Sequence, residues 1–159
     1  MPIRLQLATS TLEKSWLERA YGDWLGELAD VTRASPLSGD TLARDQIHEW
    51  FQDRSIDLFV LRRNDDCVGF ACVEKTRGDD ARLREFYVIP GMRGLGVGSH
   101  AAALLFDRHA GRWQLDVLQS DRAALSFWAK VLQRYAPEHR REERVDGHLR
   151  YVFPSRSIK

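Results

Sequence analysis

Apolar positions along this chain change their period several times, and each change marks an element. Ile3 to Ala8 alternates apolar and polar residues in the manner of a strand. Ser10-Thr11-Leu12-Glu13 then has capping-box spacing. Behind it Trp16, Leu17, Ala20, Tyr21, Trp24, Leu25 and Leu28 recur at three- and four-residue steps, which predicts a helix with one apolar stripe. Thr32 to Gly39 reads as a loop broken by Pro36 and Gly39, and Asp40 is placed to cap a second helix through about Phe51. Ile56–Arg63 and Cys67–Lys75 are strands around the turn Asn64-Asp65-Asp66, so they predict an antiparallel hairpin. Gly78-Asp79-Asp80 turns the chain into a further strand, Arg82–Ile89. A helix over Val97–Arg108, a strand over Trp113–Leu118 and a helix over Asp121–Gln133 follow. The last of these carries Ala124, Leu125, Phe127, Trp128 and Val131 on its apolar side. Asp146-Gly147 is a hairpin turn between Arg140–Val145 and His148–Phe153.

The predicted order is β-α-α-β-β-β-α-β-α-β-β, an α/β (α+β) chain in which an antiparallel meander feeds one β-α-β unit. At 159 residues it is expected to form a single domain, 1–159, with a real core. A net charge of +1 gives no support to a nucleic-acid partner. No stretch approaches the roughly 20 apolar residues that span a membrane, so no membrane partner is expected. Two cysteines, Cys67 and Cys72, are spaced unlike a metal knuckle or a redox pair, which favours a reduced, cytoplasmic setting. The five histidines show no ligand spacing, and no metal is expected.

The segment from Glu85 to Ser99 carries the chemistry. A strand ends in Pro90, then Gly94, Gly96 and Gly98 leave backbone N–H groups uncovered where a helix begins, with Arg93 at the lip. Such a terminus receives an anion, because its first N–H groups lack partners and the helix dipole is positive there. A plain strand-to-helix turn is one reading. A dinucleotide site of an oxidoreductase is another, with Asp116 near the ribose-binding distance. It is opposed by Ser99 at the third glycine position, by the preceding hairpin and by the short chain left for a second half. A P-loop fails because no Gly-Lys-Ser/Thr follows.

The third reading is acyl-coenzyme A. Arg93-Gly94-Leu95-Gly96-Val97-Gly98 resembles the Arg/Gln-x-x-Gly-x-Gly/Ala pyrophosphate loop of the GNAT acyltransferase superfamily. Glu85-Phe86-Tyr87-Val88-Ile89-Pro90 resembles its fourth strand and Trp113-Gln114-Leu115-Asp116-Val117 its fifth. Asp121-Arg122-Ala123-Ala124-Leu125-Ser126-Phe127-Trp128 is similar to its Asn-x-x-Ala-x-x-Phe/Leu-Tyr segment. Glu-Phe-Tyr-Val, Leu-Phe-Asp-Arg, Gly-Arg-Trp and Phe-Trp-Ala-Lys further resemble a bacterial subgroup of acetyltransferases whose substrate is not known. The resemblance implies a mixed central sheet whose parallel fourth and fifth strands splay apart around the acyl-pantetheine arm. It implies acetyl-CoA as co-substrate and an amine, small molecule or peptide, as acceptor. It implies that Val88 and Ile89 pair with the pantetheine. It assigns the pyrophosphate to Arg93, Gly94, Leu95, Gly96, Val97, Gly98 and Ser99, with Asp121 and Phe127 beside the cofactor. Homodimers are common in the family.

Transfer to an amine needs a neutral nucleophile, and an alkyl amine of pKa about 10.4 is only about one part in a few thousand neutral at pH 7. A carboxylate base is useful there. Asp116 stands where some relatives carry a catalytic glutamate, with a salt-bridged strand residue as the plainer reading. Glu85 is the other acid on a strand bordering the cleft. Trp128 replaces the tyrosine often found near the leaving sulfur, and an indole N–H donates a hydrogen bond but is no practical acid. It is either a sulfur donor or a hydrophobic wall. Asp121 replaces asparagine and is either a cofactor neighbour or only a helix N-cap. These two departures motivate an alternative function, an acyl-CoA-binding sensor without turnover. Tyr21, Trp24 and Trp50 are placed to line the acceptor entrance or to pack in the core.

Overall fold

The computed structural model describes residues 2–32 and 39–157. The strands are β1 (Ile3–Leu7), β2 (Ile56–Arg63), β3 (Asp66–Lys75), β4 (Ala81–Val88), β5 (Arg112–Leu118), β6 (Arg141–Val145) and β7 (His148–Pro154). The helices are α1 (Thr11–Thr32), α2 (Gly39–Gln52), α3 (Val97–Arg108) and α4 (Arg122–Tyr135). The expected element order holds. The loop expected over Thr32 to Gly39 lies largely outside the described residues. A short 3-10 turn over Pro90–Met92 was not anticipated; Pro90 cannot continue a ladder, and its fixed φ starts the turn. No helix among the described residues is long and apolar enough to cross a membrane.

Local chemistry sets the ends of these elements. At α1 the Glu13 carboxylate accepts the N–H groups of Thr9 and Ser10, both at 3.0 Å, and the Glu13 N–H donates to Ser10 Oγ at 3.2 Å. This reciprocal box satisfies donors the helix would otherwise leave unpaired. Asn64 (φ 57°), Asp146 (φ 45°) and Gly147 (φ 79°) take left-handed conformations at the two hairpin turns, where short polar residues and glycine are tolerated.

The seven strands form one sheet in the order β1-β2-β3-β4-β5-β7-β6. Every pairing is antiparallel except β4 with β5. One face packs on α3 and α4 through Phe59, Leu83, Leu105, Phe106, Trp113, Leu132 and Phe153. The other packs on α1 and α2 through Leu17, Tyr21, Ile47, Trp50, Val60, Phe70 and Tyr87. That second core draws no residue from β5, β6 or β7 among the described residues, so the helices cover only half of this face. Tyr21 and Trp50 are buried in it and meet edge to face at 5.2 Å, while Trp24 stacks on Tyr21. Packing is therefore what these rings do.

The decisive irregularity lies in β4. Cys72 pairs with Glu85 and Val73 with Leu83, so Arg84 is an extra residue in the strand, a β-bulge. Bulges bend a strand and raise its local twist. The parallel pairing of β4 with β5 covers only Ala81↔Trp113, Arg82↔Gln114 and Leu83↔Leu115, and it stops at this bulge. Beyond it β4 stays with β3 and β5 stays with β7. The two central strands thus diverge as expected, and the bulge is the reason.

Candidate active site

The gap left by the divergence is edged by main-chain groups. The Ile89 N–H donates to Val68 O at 2.9 Å, so Ile89 points its peptide toward β3. Because strand peptides alternate, the N–H and C=O groups of Phe86 and Val88 face the other way, into the gap. Of the two residues expected to meet pantetheine, Ile89 has its N–H engaged within the sheet. The direction of the Phe86 peptide depends on register beyond the bulge, which the sequence pattern alone does not carry.

At the end of β4 the chain runs through the 3-10 turn into Gly94 (φ 78°) and Gly96 (φ 79°), both left-handed. A side chain there is strained by roughly 1–2 kcal/mol per residue. Gly96 is the N-cap of α3 and supplies no side-chain cap, so the N–H groups of Val97, Gly98 and Ser99 have no capping partner from it. Leu95 is exposed beside them. A groove of about 220 Å³ lies against this turn, lined by Ile3, Arg63, Leu95, Gly96, Val97 and His100.

Arg93 is held away from a free position at the lip. Its Nε donates to Val88 O at 2.8 Å, and its two terminal nitrogens donate to the Glu27 carboxylate at 2.7 and 3.0 Å. The guanidinium also lies 5.3 Å from the Tyr87 ring centre. Partial burial opposes ionisation of Glu27, but hydrogen bonds from Arg93 and Tyr87 outweigh it and hold its carboxyl below the usual range. Arg93 therefore ties α1 to the end of β4. Glu27 had no local signal in the sequence, because its partner is 66 residues away.

An aromatic wall closes the α3/α4 side. Phe86 stacks on Phe127 at 6.0 Å and meets Trp128 edge to face at 5.2 Å. Phe127 presses against the first turn of α3: a Cβ on Gly98 would lie 2.9 Å from its ring and 3.6 Å from Val88. Trp128 is 8% exposed. Its indole N–H has no partner among the described residues, yet it is not sealed from solvent. Asp121 Oδ1 accepts the Ala124 N–H at 3.1 Å and is the N-cap of α4.

A bare glycine turn, a helix terminus and a gap edged by peptide groups together suit a diphosphate joined to an extended amide-bearing arm. Residues 16–132 match the model of the acetyltransferase (GNAT) family, well over half of the chain. The chain belongs to that family. By family it is an acyl-CoA-dependent acetyltransferase. Its fold is similar to that of an acetyltransferase from Thermus thermophilus, at 18% identity and a TM-score of 0.74 over 97% of both chains. It is also similar to the PaiA N-acetyltransferase of Thermoplasma acidophilum in complex with coenzyme A. There the identity is 14% and the TM-score 0.69, over 97% of this chain and 99% of the other. A spermidine N-acetyltransferase chimera of the Vibrio cholerae protein and hSSAT gives 13% identity and a TM-score of 0.67, over 96% of this chain and 95% of the other. No curated protein matches this GNAT chain by sequence.

The two carboxylates of the site differ in kind. Asp116 stands directly across from Arg150 on β7 and is gripped by its fork at 2.9 and 3.1 Å, with Arg82 3.5 Å away. The Arg150 hydrogen bonds hold its carboxyl below the usual range. A carboxylate so paired is a weak base, and the salt-bridged strand residue is what the geometry gives. The Glu85 carboxyl has no hydrogen-bond partner among the described residues. Burial beside Tyr21 and Cys72 pushes it up to about 8, against a smaller opposing pull from Arg84. It shares the α1/α2 face with Tyr87, opposite the aromatic wall.

Proposed function

We propose that this chain moves an acetyl group from acetyl-CoA directly to an amine acceptor in a ternary complex, with Glu85 as the base. The observation that carries the reading is the divergence of β4 and β5 at the Arg84 bulge, which opens beside the bare glycine turn and leaves Glu85 on the opposite face. The N–H groups from Val97 to Ser99 hold the diphosphate. The Phe86 and Val88 peptides align the pantetheine arm, and Phe86 and Phe127 exclude water from it. Asp121 serves the helix and not the cofactor. The acceptor ammonium gives a proton to Glu85, directly or through water. Its nitrogen attacks the thioester carbonyl, the C–N bond forms, the attacking nitrogen gives its second surplus proton to water, the C–S bond breaks and the electron pair leaves with sulfur. The Trp128 N–H donates a hydrogen bond to that thiolate, which takes its proton from solvent. A thiol of pKa near 8.5 needs no stronger acid.

Thermal shift with acetyl-CoA, followed by thiol release over a panel of amines, tests this reading. Stabilisation and acceptor-dependent thiol are expected. Absence of any shift at millimolar ligand overturns it.

Two substitutions separate the roles. Trp128→Phe keeps the wall and loses the donor, so kcat falls about tenfold, the worth of one hydrogen bond of about 1.4 kcal/mol, while the KM for acetyl-CoA holds. A fall in neither constant means that Trp128 is wall alone. Arg93→Ala removes the tether on the Val88 carbonyl, and the KM for acetyl-CoA rises about tenfold on the same basis. Arg93→Lys does not restore it, because lysine lacks the fork that spans Glu27 and Val88. Full activity in the lysine variant contradicts the tether.

A further inference from the structure

We infer that the acceptor is a small amine that also carries a carboxylate, an amino-acid-like molecule, and that Arg82 and Arg84 receive that carboxylate beside Glu85. The inference rests on the acyl-transfer reading above and names its substrate class. It starts from the half of the sheet that α1 and α2 do not cover among the described residues. On β5 and β7 the residues Trp113, Leu115, Val117, Tyr151 and Phe153 face the α3/α4 core. Alternation therefore turns Asp116 and Arg150 to the opposite face, where the second core supplies no cover among the described residues. Arg82, one step from Leu83, joins them. The bulge brings Arg84 to the same side as Glu85, where it approaches Glu74, the β3 residue on the same face as Cys72.

Charge on this patch is unequal. Arg150 takes both oxygens of Asp116 at hydrogen-bond length. Arg82 is left with an approach of 3.5 Å to the same carboxylate, and Arg84 with one of 3.6 Å to Glu74. Both exceed a good N–H···O bond of about 2.9 Å. The two side chains are 40% and 38% exposed, so their remaining N–H groups face water. Glu85, raised to about 8, adds little negative charge at neutral pH. The patch thus presents two loosely paired guanidinium forks, and planar forks match a carboxylate in two-point geometry. A polyamine brings only cations to Arg82 and Arg84, with no carboxylate for their forks.

The test compares free amino acids with their amides, and with spermidine, as acceptors in acetyl-CoA-dependent thiol release. The acids are expected to exceed the matched amides at least tenfold in kcat/KM. Arg84→Gln and Arg82→Gln should each bring the acid-to-amide ratio toward one. Spermidine or the amides matching the acids, no acid acting as acceptor, or an unchanged ratio in both variants overturns the inference. Failure of acetyl-CoA to stabilise the wild-type protein is a separate result, and it overturns the parent reading instead.

Discussion

Gly98→Val abolishes the stabilisation by acetyl-CoA. A Cβ at this position would sit 2.9 Å from Phe127 Cε1 and 3.0 Å from Cζ, closer than real Cβ atoms pack. The added methyl groups push the Phe127 ring away from the first turn of α3. That ring stacks on Phe86, whose peptide edges the gap, so the displacement reaches the pantetheine path. The same branched side chain covers the N–H groups meant for the diphosphate. Overpacking of this kind costs about 1–3 kcal/mol, so the variant is expected to fold with a lower Tm. Loss of the ligand-induced shift, with wild-type far-UV circular dichroism, is the expected outcome. A shift equal to that of the wild type would show that the diphosphate does not meet this turn.

Glu85→Gln lowers kcat/KM by about 10²–10³, within the range for removal of a general base, and it removes a limb of the pH profile. Burial holds the wild-type carboxyl up to about 8, so roughly a tenth of it is ionised at pH 7. Activity should therefore climb with pH toward a limb near 8 in the wild type and lose that limb in the variant. The same shift has a stability consequence of fixed sign. Between the unfolded value of about 4.3 and the folded value, the native state binds more protons than the unfolded chain, so stability falls as pH rises through that window. Glutamine has no proton to lose, and the variant should gain Tm relative to wild type at pH 9 and not at pH 4. A variant that keeps wild-type turnover across this range removes Glu85 from the chemistry. Asp116 offers no substitute, since Arg150 already holds its charge.

The elements of this chain were legible because their signals are local. The Ser10–Glu13 box, the period of Trp16 to Leu28, and the Asn64 and Asp146-Gly147 turns each act within a few residues, and each is where the sequence puts it. The glycine turn was legible for the same reason: φ near +79° at Gly96 requires glycine wherever the rest of the chain lies. What escaped the sequence depends on register or on distance. One extra residue at Arg84 decides which peptides face the gap, so those of Phe86 and Val88 turn toward it while the Ile89 N–H turns to Val68. A glutamate on α1 captures Arg93, which the motif alone would aim at phosphate. The pairing of β5 with β7 sets Arg150 against Asp116 and takes from it the basicity its position suggested.

A crystal structure of the protein with coenzyme A decides whether the gap is the cofactor site. The diphosphate is expected on the N–H groups of Val97 to Ser99, and the pantetheine amides on the Phe86 and Val88 peptides, between strands that stay apart beyond Leu83 and Leu115. Coenzyme A bound elsewhere, or a fourth and fifth strand zipped together past the bulge with the ligand excluded, would contradict this placement.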